Sequence, residues 1–262
     1  MDSNGQPIIF EQMGNTASII LNRPESLNAL DWNMLFSIKD ILLQIKGDPS
    51  IKAVTITGAS EKAFCAGADI ESLKEASPLE VRKFAKLAID ICFMLEELDK
   101  VTIALINGFA LGGGLELAEA CMFRIAAESA VLGHPEVKLG AVSGWGGTTR
   151  LPRLVGFAKA SELLLTGRVI NAKDAFKIGL VHKVVPGPEL KSEAQEMIDE
   201  LLQNSPIALH MTWKAMLRGW DMSRKESAEL GADYFGLVAS SKDFQEGTKA
   251  FLEKRKPDFK GE

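Results

Sequence analysis

The sequence is short of the features that mark several protein classes. Its 262 residues hold three cysteines, Cys65, Cys92 and Cys121, too few and too scattered for a disulfide framework or a zinc cage. An odd number of thiols fits a reducing compartment, where cysteine serves mostly as a small apolar filler. The three histidines, His134, His182 and His210, lie far apart and form no ligand spacing, so no metal is expected. Positive charge is not in excess: 30 Lys and Arg against 35 Asp and Glu leave a net charge of −5. The broad positive field behind non-specific nucleic-acid binding is therefore missing, and no nucleic-acid partner is expected. No run approaches the roughly 18 apolar residues of a membrane span. Residues 1–7 have neither a basic stretch nor an apolar signal core. These absences predict a soluble cytoplasmic protein with no membrane partner.

What is present is ordinary for a globular chain, with 46% hydrophobic and 25% charged residues. β-rich runs at 8–10 and 17–21 flank Gly14-Asn15, which predicts a hairpin. Apolar spacing predicts helices over 33–46 and 78–98, and short buried strands over 53–57, 101–106 and 123–127. Each loop that follows a strand's C-terminal end is a candidate ligand site in an α/β fold, because the next helix offers free N–H groups. From about residue 189 four helical patterns follow, over 189–204, 206–220, 224–239 and 243–256. The reading is a core of residues 1–190 and a helical region of residues 191–262.

Gly112-Gly113-Gly114-Leu115-Glu116 precedes a predicted helix over 115–120. It has neither the Lys-Ser/Thr of a P-loop nor the spacing of a dinucleotide fingerprint. Two readings are open: tight helix–strand packing, or backbone N–H groups presented to an oxygen that gains negative charge. Glu116 lies in the first helical turn, and Glu119 one turn on reads as a solvated helix acid. Glu136 sits in a turn, Gly133-His134-Pro135-Glu136, and His134 reads as a packed or hydrogen-bonded turn residue. Ser143 is not in a hydrolase elbow, and Cys65 reads as packing.

Four motifs are family-specific: Ala63-Phe64-Cys65-Ala66-Gly67-Ala68-Asp69-Ile70, the segment 107–116, the segment 133–136, and Gly144-Trp145-Gly146-Gly147-Thr148. In their order and spacing the chain resembles the enoyl-CoA hydratase/isomerase (crotonase) family over nearly its whole length. The resemblance implies an α/β fold, the crotonase (ClpP-like) spiral of ββα units with two roughly perpendicular sheets. Its C-terminal helical region would serve trimerisation, giving a homotrimer or homohexamer.

The resemblance also implies roles. The N–H groups of Ala68 and Gly113 would form an oxyanion hole for a thioester oxygen. Ser26, Leu27, Ala66, Gly67, Asp69 and Ile70 would contact coenzyme A, and Gly144 would help hold a water. Glu116 and Glu136 match the two catalytic glutamates of the hydratases, Glu116 serving mainly the water and Glu136 mainly the Cα proton. No cofactor is implied beyond the coenzyme A of the acyl-CoA substrate itself. The implied activity is that of a carbon–oxygen lyase of fatty acid β-oxidation, an enoyl-CoA hydratase. Double-bond isomerisation, hydration of a cyclic enoyl-CoA, and non-catalytic CoA or RNA binding are the alternatives.

The chain departs from the frequent family pattern at Glu25 (often Lys), His134 (often Gln), Ser143 (often Pro), Met122 (usually Asp) and the bulky Trp145. His134, Ser143 and Trp145 flank the second glutamate and the water site, so they bear on acyl preference. The basic residues Lys254, Arg255, Lys256 and Lys260 suit either CoA phosphates or a solvated helix end.

Overall fold

A computed structural model describes residues 6–262. The chain forms two compact units, one reaching Ala194 and the other Gln195–Glu262. It opens with strands β1 (Ile8–Met13) and β2 (Thr16–Leu21), antiparallel about the tight turn at Gly14, whose φ is +59°. The sequence predicts this hairpin, and the left-handed φ is the reason glycine suits the turn.

Helix α1 (Trp32–Gly47) starts where the Asp31 carboxylate accepts the Met34 N–H at 2.9 Å. It buries Met34, Leu35, Ile38, Leu42 and Ile45 on one face. Strands β3 (Ala53–Gly58) and β4 (Ala63–Cys65) lead to α2 (Ile70–Leu73) and α3 (Pro78–Glu96). Ser77 and Glu80 close a reciprocal capping box at the start of α3, with Pro78 in the first turn, where its missing N–H costs nothing.

Strands β5 (Val101–Ile106) and β6 (Phe109–Leu111) then feed α4 (Gly113–Glu119). Strands β7 (Phe123–Ala127) and β8 (Val131–Gly133) lead through a 3₁₀ turn, Glu136–Leu139, to α5 (Gly147–Val155). The first unit continues with α6 (Phe157–Thr166), β9 (Val169–Asn171), α7 (Ala172–Lys177) and β10 (Lys183–Val185).

Two sheets result, ordered β1-β2-β3-β5-β7-β10 and β4-β6-β8-β9. The strand pairs β3–β4, β5–β6 and β7–β8 each place one strand in either sheet before a helix follows, which is the ββα spiral of the crotonase fold. The central strands pair in parallel. All six residues of β5 are buried, as expected for a strand covered on both faces. Asn107 ties one turn of the spiral to the next: its carbonyl accepts the Gly58 N–H at 3.1 Å, and its amide donates to the carbonyls of Gly58, Ser60 and Ala63.

Helix α8 (Leu190–Leu201) begins in the first unit and ends in the second. The second unit holds α9 (Pro206–Gly219), α10 (Arg224–Ala239) and α11 (Lys242–Leu252). The last helix stops four residues before the predicted end at 256. Lys254 there takes a left-handed φ of +54°, and the Arg255 guanidinium forks onto Glu246 at 2.6 and 2.9 Å while bonding Glu253 at 2.7 Å. Lys260 pairs with Asp258. Among the described residues, no helix is long and apolar enough to cross a membrane.

Candidate active site

The glycine cluster lies where strands of the four-stranded sheet end, after β6 and beside the end of β8. Gly112 adopts φ +50°, ψ −125°, a conformation that non-glycine residues avoid, and donates its N–H to the Gly133 carbonyl at 2.9 Å. That bond aligns the end of β6 with the end of β8, and the chain turns directly into α4. The helix thus begins two residues earlier than periodicity predicts, so Gly113 lies in its first turn. Every residue of α4 is buried.

The segment carrying Ala66, Gly67 and Ala68 lies against this helix start. Gly67, at φ +101°, packs so closely that a methyl group on it would come within 3.2 Å of the Gly113 nitrogen. Neither the Ala68 nor the Gly113 N–H has a backbone acceptor among the described residues. The structure therefore brings two unspent donors into one neighbourhood, at the positive end of a helix.

Ser26 and Leu27 belong to a strap laid along the same segment. Ala66 donates to the Leu27 carbonyl at 3.0 Å, and Leu30 bridges Ala68. Asn28 holds the strap from inside. Fully buried, it accepts from Arg23 N–H at 2.9 Å and donates to the carbonyls of Ala59, Ala63 and Phe64. Leu27 and Asn28 both take left-handed φ values, +54° and +58°. Their strain is offset by this network. Asp69 is less available than the sequence suggests, because its N–H goes to Leu30 and its carboxylate to Arg23 at 2.9 Å. Arg23 also meets Asp31 at 3.1 Å. Ile70 is exposed.

Glu116 is buried, and one of its oxygens, Oε1, accepts the N–H groups of Trp145 at 2.8 Å and Gly147 at 2.7 Å. Both bonds fall on the same oxygen, which leaves the other available to a water. Burial pushes this carboxyl up to about 7 against the opposing pull of the Gly147 N–H and His134. Gly144, exposed, sits one residue before the Trp145 donor. Arg150 braces this segment: its Nη1 donates to the Trp145 carbonyl at 2.9 Å, and its Nε to Glu96 of α3 at 2.6 Å.

Glu136 approaches from the 3₁₀ turn and lies against Gly112, where a methyl group would meet its Oε1 at 3.2 Å. Both Glu136 oxygens lack a hydrogen-bond partner among the described residues. The imidazole of His134 faces this carboxylate, with Nδ1 3.7 Å from Glu136 Oε1, beyond hydrogen-bond distance. Burial works against the charge of Glu136, but His134 outweighs it and holds the carboxyl below its ordinary value.

Glu119 overturns its sequence reading. It is not a solvated helix acid: its side chain is wholly buried, and Oε1 meets His134 Nε2 at 2.9 Å. Sequence reasoning also misses Asn28 and Arg150, for which an isolated Asn or Arg gives no signal. Cys65 is packing, as read, with its buried thiol pushed up to about 12. Among the described residues no group of three or more His, Cys, Asp or Glu is arranged to hold a metal ion.

The arrangement can hold a polarised carbonyl at two N–H groups and present two carboxylates of opposite character beside it. Known proteins are similar to this chain over nearly its whole length. The enoyl-CoA hydratase/isomerase family model matches residues 11–262. The crotonyl-CoA hydratase of Syntrophomonas wolfei is 44% identical over 252 residues, 96% of this chain and 97% of that protein. The short-chain-enoyl-CoA hydratase of Clostridium acetobutylicum is 42% identical, with 95% of each chain covered. A crystal structure of the enoyl-CoA hydratase from Bacillus anthracis matches with a TM-score of 0.93 and 41% identity, covering 98% of this chain and 100% of that one. This chain belongs to the enoyl-CoA hydratase/isomerase family.

Proposed function

We propose that the protein is an enoyl-CoA hydratase, a carbon–oxygen lyase that reversibly adds water across the 2,3 double bond of a 2-enoyl-CoA. The carrying observation is the pair of unlike glutamates at the start of α4: Glu116 bonded to two backbone N–H groups, Glu136 with both oxygens unpartnered among the described residues. Two relatives at 44% and 42% identity bear hydratase names, which supports the same reading.

In this reading the N–H groups of Ala68 and Gly113 hold the thioester oxygen, which becomes an enolate oxygen as water adds. Removing one such donor typically costs about 2.7–4 kcal/mol of transition-state stabilisation. Ser26, Leu27, Ala66, Gly67, Asp69 and Ile70 receive coenzyme A, the loop 66–70 mainly through its backbone groups. Gly144 helps hold the water.

One water supplies both the hydroxyl at Cβ and the hydrogen at Cα. Glu116 orients this water. Glu136, held ionised, takes a proton from it as the oxygen bonds to Cβ, then hands that proton to Cα of the enolate. Atoms and charge balance within one turnover, and both carboxyls return to their starting states.

The same reading makes residues 191–262 a trimerisation region of a homotrimer or homohexamer, and places the enzyme in the cytoplasm, in fatty acid β-oxidation. Its support is the family resemblance.

The test is incubation with crotonyl-CoA and a panel of longer and cyclic 2-enoyl-CoAs, following loss of the conjugated absorbance. Turnover of at least one member with a 3-hydroxyacyl product is expected. CoA binding without any turnover would overturn hydration, and conversion of a 3-enoyl-CoA to a 2-enoyl-CoA alone would turn the reading to isomerisation.

A further inference from the structure

Behind Glu136 lies a buried chain of titratable groups that the hydration scheme does not use. Glu119, at the end of α4, meets His134 Nε2 at 2.9 Å, and the other ring nitrogen of His134 faces Glu136 at 3.7 Å. The Ser143 hydroxyl stands 3.4 Å from the same Nδ1. The side chains of Glu119 and His134 are both 0% exposed, so solvent screens neither of them.

A neutral imidazole carries one N–H and can serve only one of its two neighbours. If it served Glu119, a lone pair would face the Glu136 carboxylate. If it served Glu136, a lone pair would face the Glu119 carboxylate at 2.9 Å. Either leaves one carboxylate facing a lone pair in a site that is largely shielded from water. An imidazolium turns positive charge toward both carboxylates and removes both conflicts.

The other charges around the group point the same way. Glu116 lies near enough for His134 to act on it. The cations Arg124 and Arg150 also act on Glu119, but their guanidinium groups are engaged elsewhere: Arg124 on the carbonyls of Leu180 and Cys121, Arg150 on Glu96 and the Trp145 carbonyl. Among the described residues Glu119 Oε2 has no hydrogen bond, and Oε1 has His134 as its side-chain partner.

We infer that Glu119 and His134 form a buried ion pair that positions Glu136, His134 standing as an imidazolium whose positive charge fixes the orientation and charge of that carboxylate. The inference deepens the hydratase reading and rests on it for the role of Glu136. Glu119 and His134 are positioning residues, acting on the substrate only through Glu136. The positive charge facing two carboxylates outweighs the effect of burial on His134 and raises it to about 10.

The test is a histidine-selective ¹⁵N spectrum of the full chain, in which only His134, His182 and His210 contribute. At pH 8 one imidazolium is expected, lost in His134→Gln. In Glu119→Gln its titration moves down by at least one pH unit. Three neutral rings at pH 8 would overturn the inference, whether or not any enoyl-CoA is turned over; an imidazolium in a protein inert to the whole panel would instead sink the hydratase reading and, with it, the positioning role.

In kinetics, His134→Gln and Glu119→Gln should each lower kcat on the order of 10- to 100-fold, the scale of a misplaced reacting group, with KM nearly unchanged. Without the facing cation Glu136 ionises less readily, so the acid limb of the kcat profile moves to higher pH in His134→Gln. A purely structural pair would lower Tm and leave that limb in place. The double variant Glu119→Gln/His134→Gln buries no charged pair and serves if a single one fails to fold. Its loss should not exceed the larger single loss, and additive losses would refute coupling.

Discussion

The indole of Trp145 covers Gly113 so closely that a methyl group there would lie 2.3 Å from Cζ3. The ring cannot retreat, because it packs edge-on against Phe84 at 5.6 Å, and Phe84 packs against Trp32 at 5.1 Å. Glycine at 113 is thus required by close approach, whereas Gly112 next to it is required by its positive φ. Gly113→Ala must displace Trp145, whose own N–H is one of the two donors on Glu116. One substitution therefore disturbs the proposed oxyanion donor and the water-holding acid together. A fall in kcat on the order of 100- to 1,000-fold is expected, with a changed tryptophan emission spectrum. Wild-type kcat in this variant would disprove the link between the two.

Glu136→Gln keeps the size of the side chain and removes its basicity. Because the group lies against Gly112 and not in the Ser26–Leu27 strap, acyl-CoA binding should survive. Steady-state kinetics should show kcat lower on the order of 100- to 10,000-fold, the usual weight of a general acid–base group, with KM little changed. Near-wild-type turnover would remove Glu136 from the mechanism.

The long, one-sided helices α1 and α3 and the hairpin at Gly14 are legible in the sequence, since each carries a full period of apolar residues and a capping or turn signal. The sheet β4-β6-β8-β9 is not, because its strands are three residues long and three residues hold no period. Helices α5 to α7 escape the same reading: α5 opens on Gly147 and contains Pro152, both signals against a helix. At the site, the glycine run stands out by itself, whereas Glu116 and Glu136 are singled out only through the family resemblance. Glu119 is not, for a definite reason. A helix buried on every side has no solvated face, so the rule that a helical Glu points to water fails. Its partner His134 is 15 residues away, across β7 and β8.

The three thiols give a test of burial independent of catalysis. Burial pushes Cys65 and Cys121 up to about 12, and Cys92 is raised as well. Thiolate is the reacting form, so almost none is present at pH 8. No thiol should react with a disulfide reagent in native protein over minutes, and three should react at once in denaturant. Fast labelling of a native cysteine would contradict the packing of β4, of α3 or of the turn after α4.

Glu116 makes the stability of the fold depend on pH with a definite sign. Its folded value, about 7, stands above the ordinary 4.5. A carboxyl raised in the folded state favours folding fully below its unfolded value, and that contribution is lost as pH rises through the folded one. The loss falls between about pH 4.5 and 7. Glu116→Gln cannot ionise, and its amide oxygen can still accept from Trp145 and Gly147. Glu136 and His134 are present in both proteins, so the difference between variant and wild type isolates position 116. Each pH unit separating the folded and unfolded values is worth ~1.36 kcal/mol, so the variant should gain on the order of 2 kcal/mol relative to wild type between about pH 5 and pH 8. Urea unfolding at the two pH values, with equal m-values, measures this directly. A constant difference would mean that Glu116 is ionised in the folded protein throughout, and its burial would then be balanced by the two N–H donors alone.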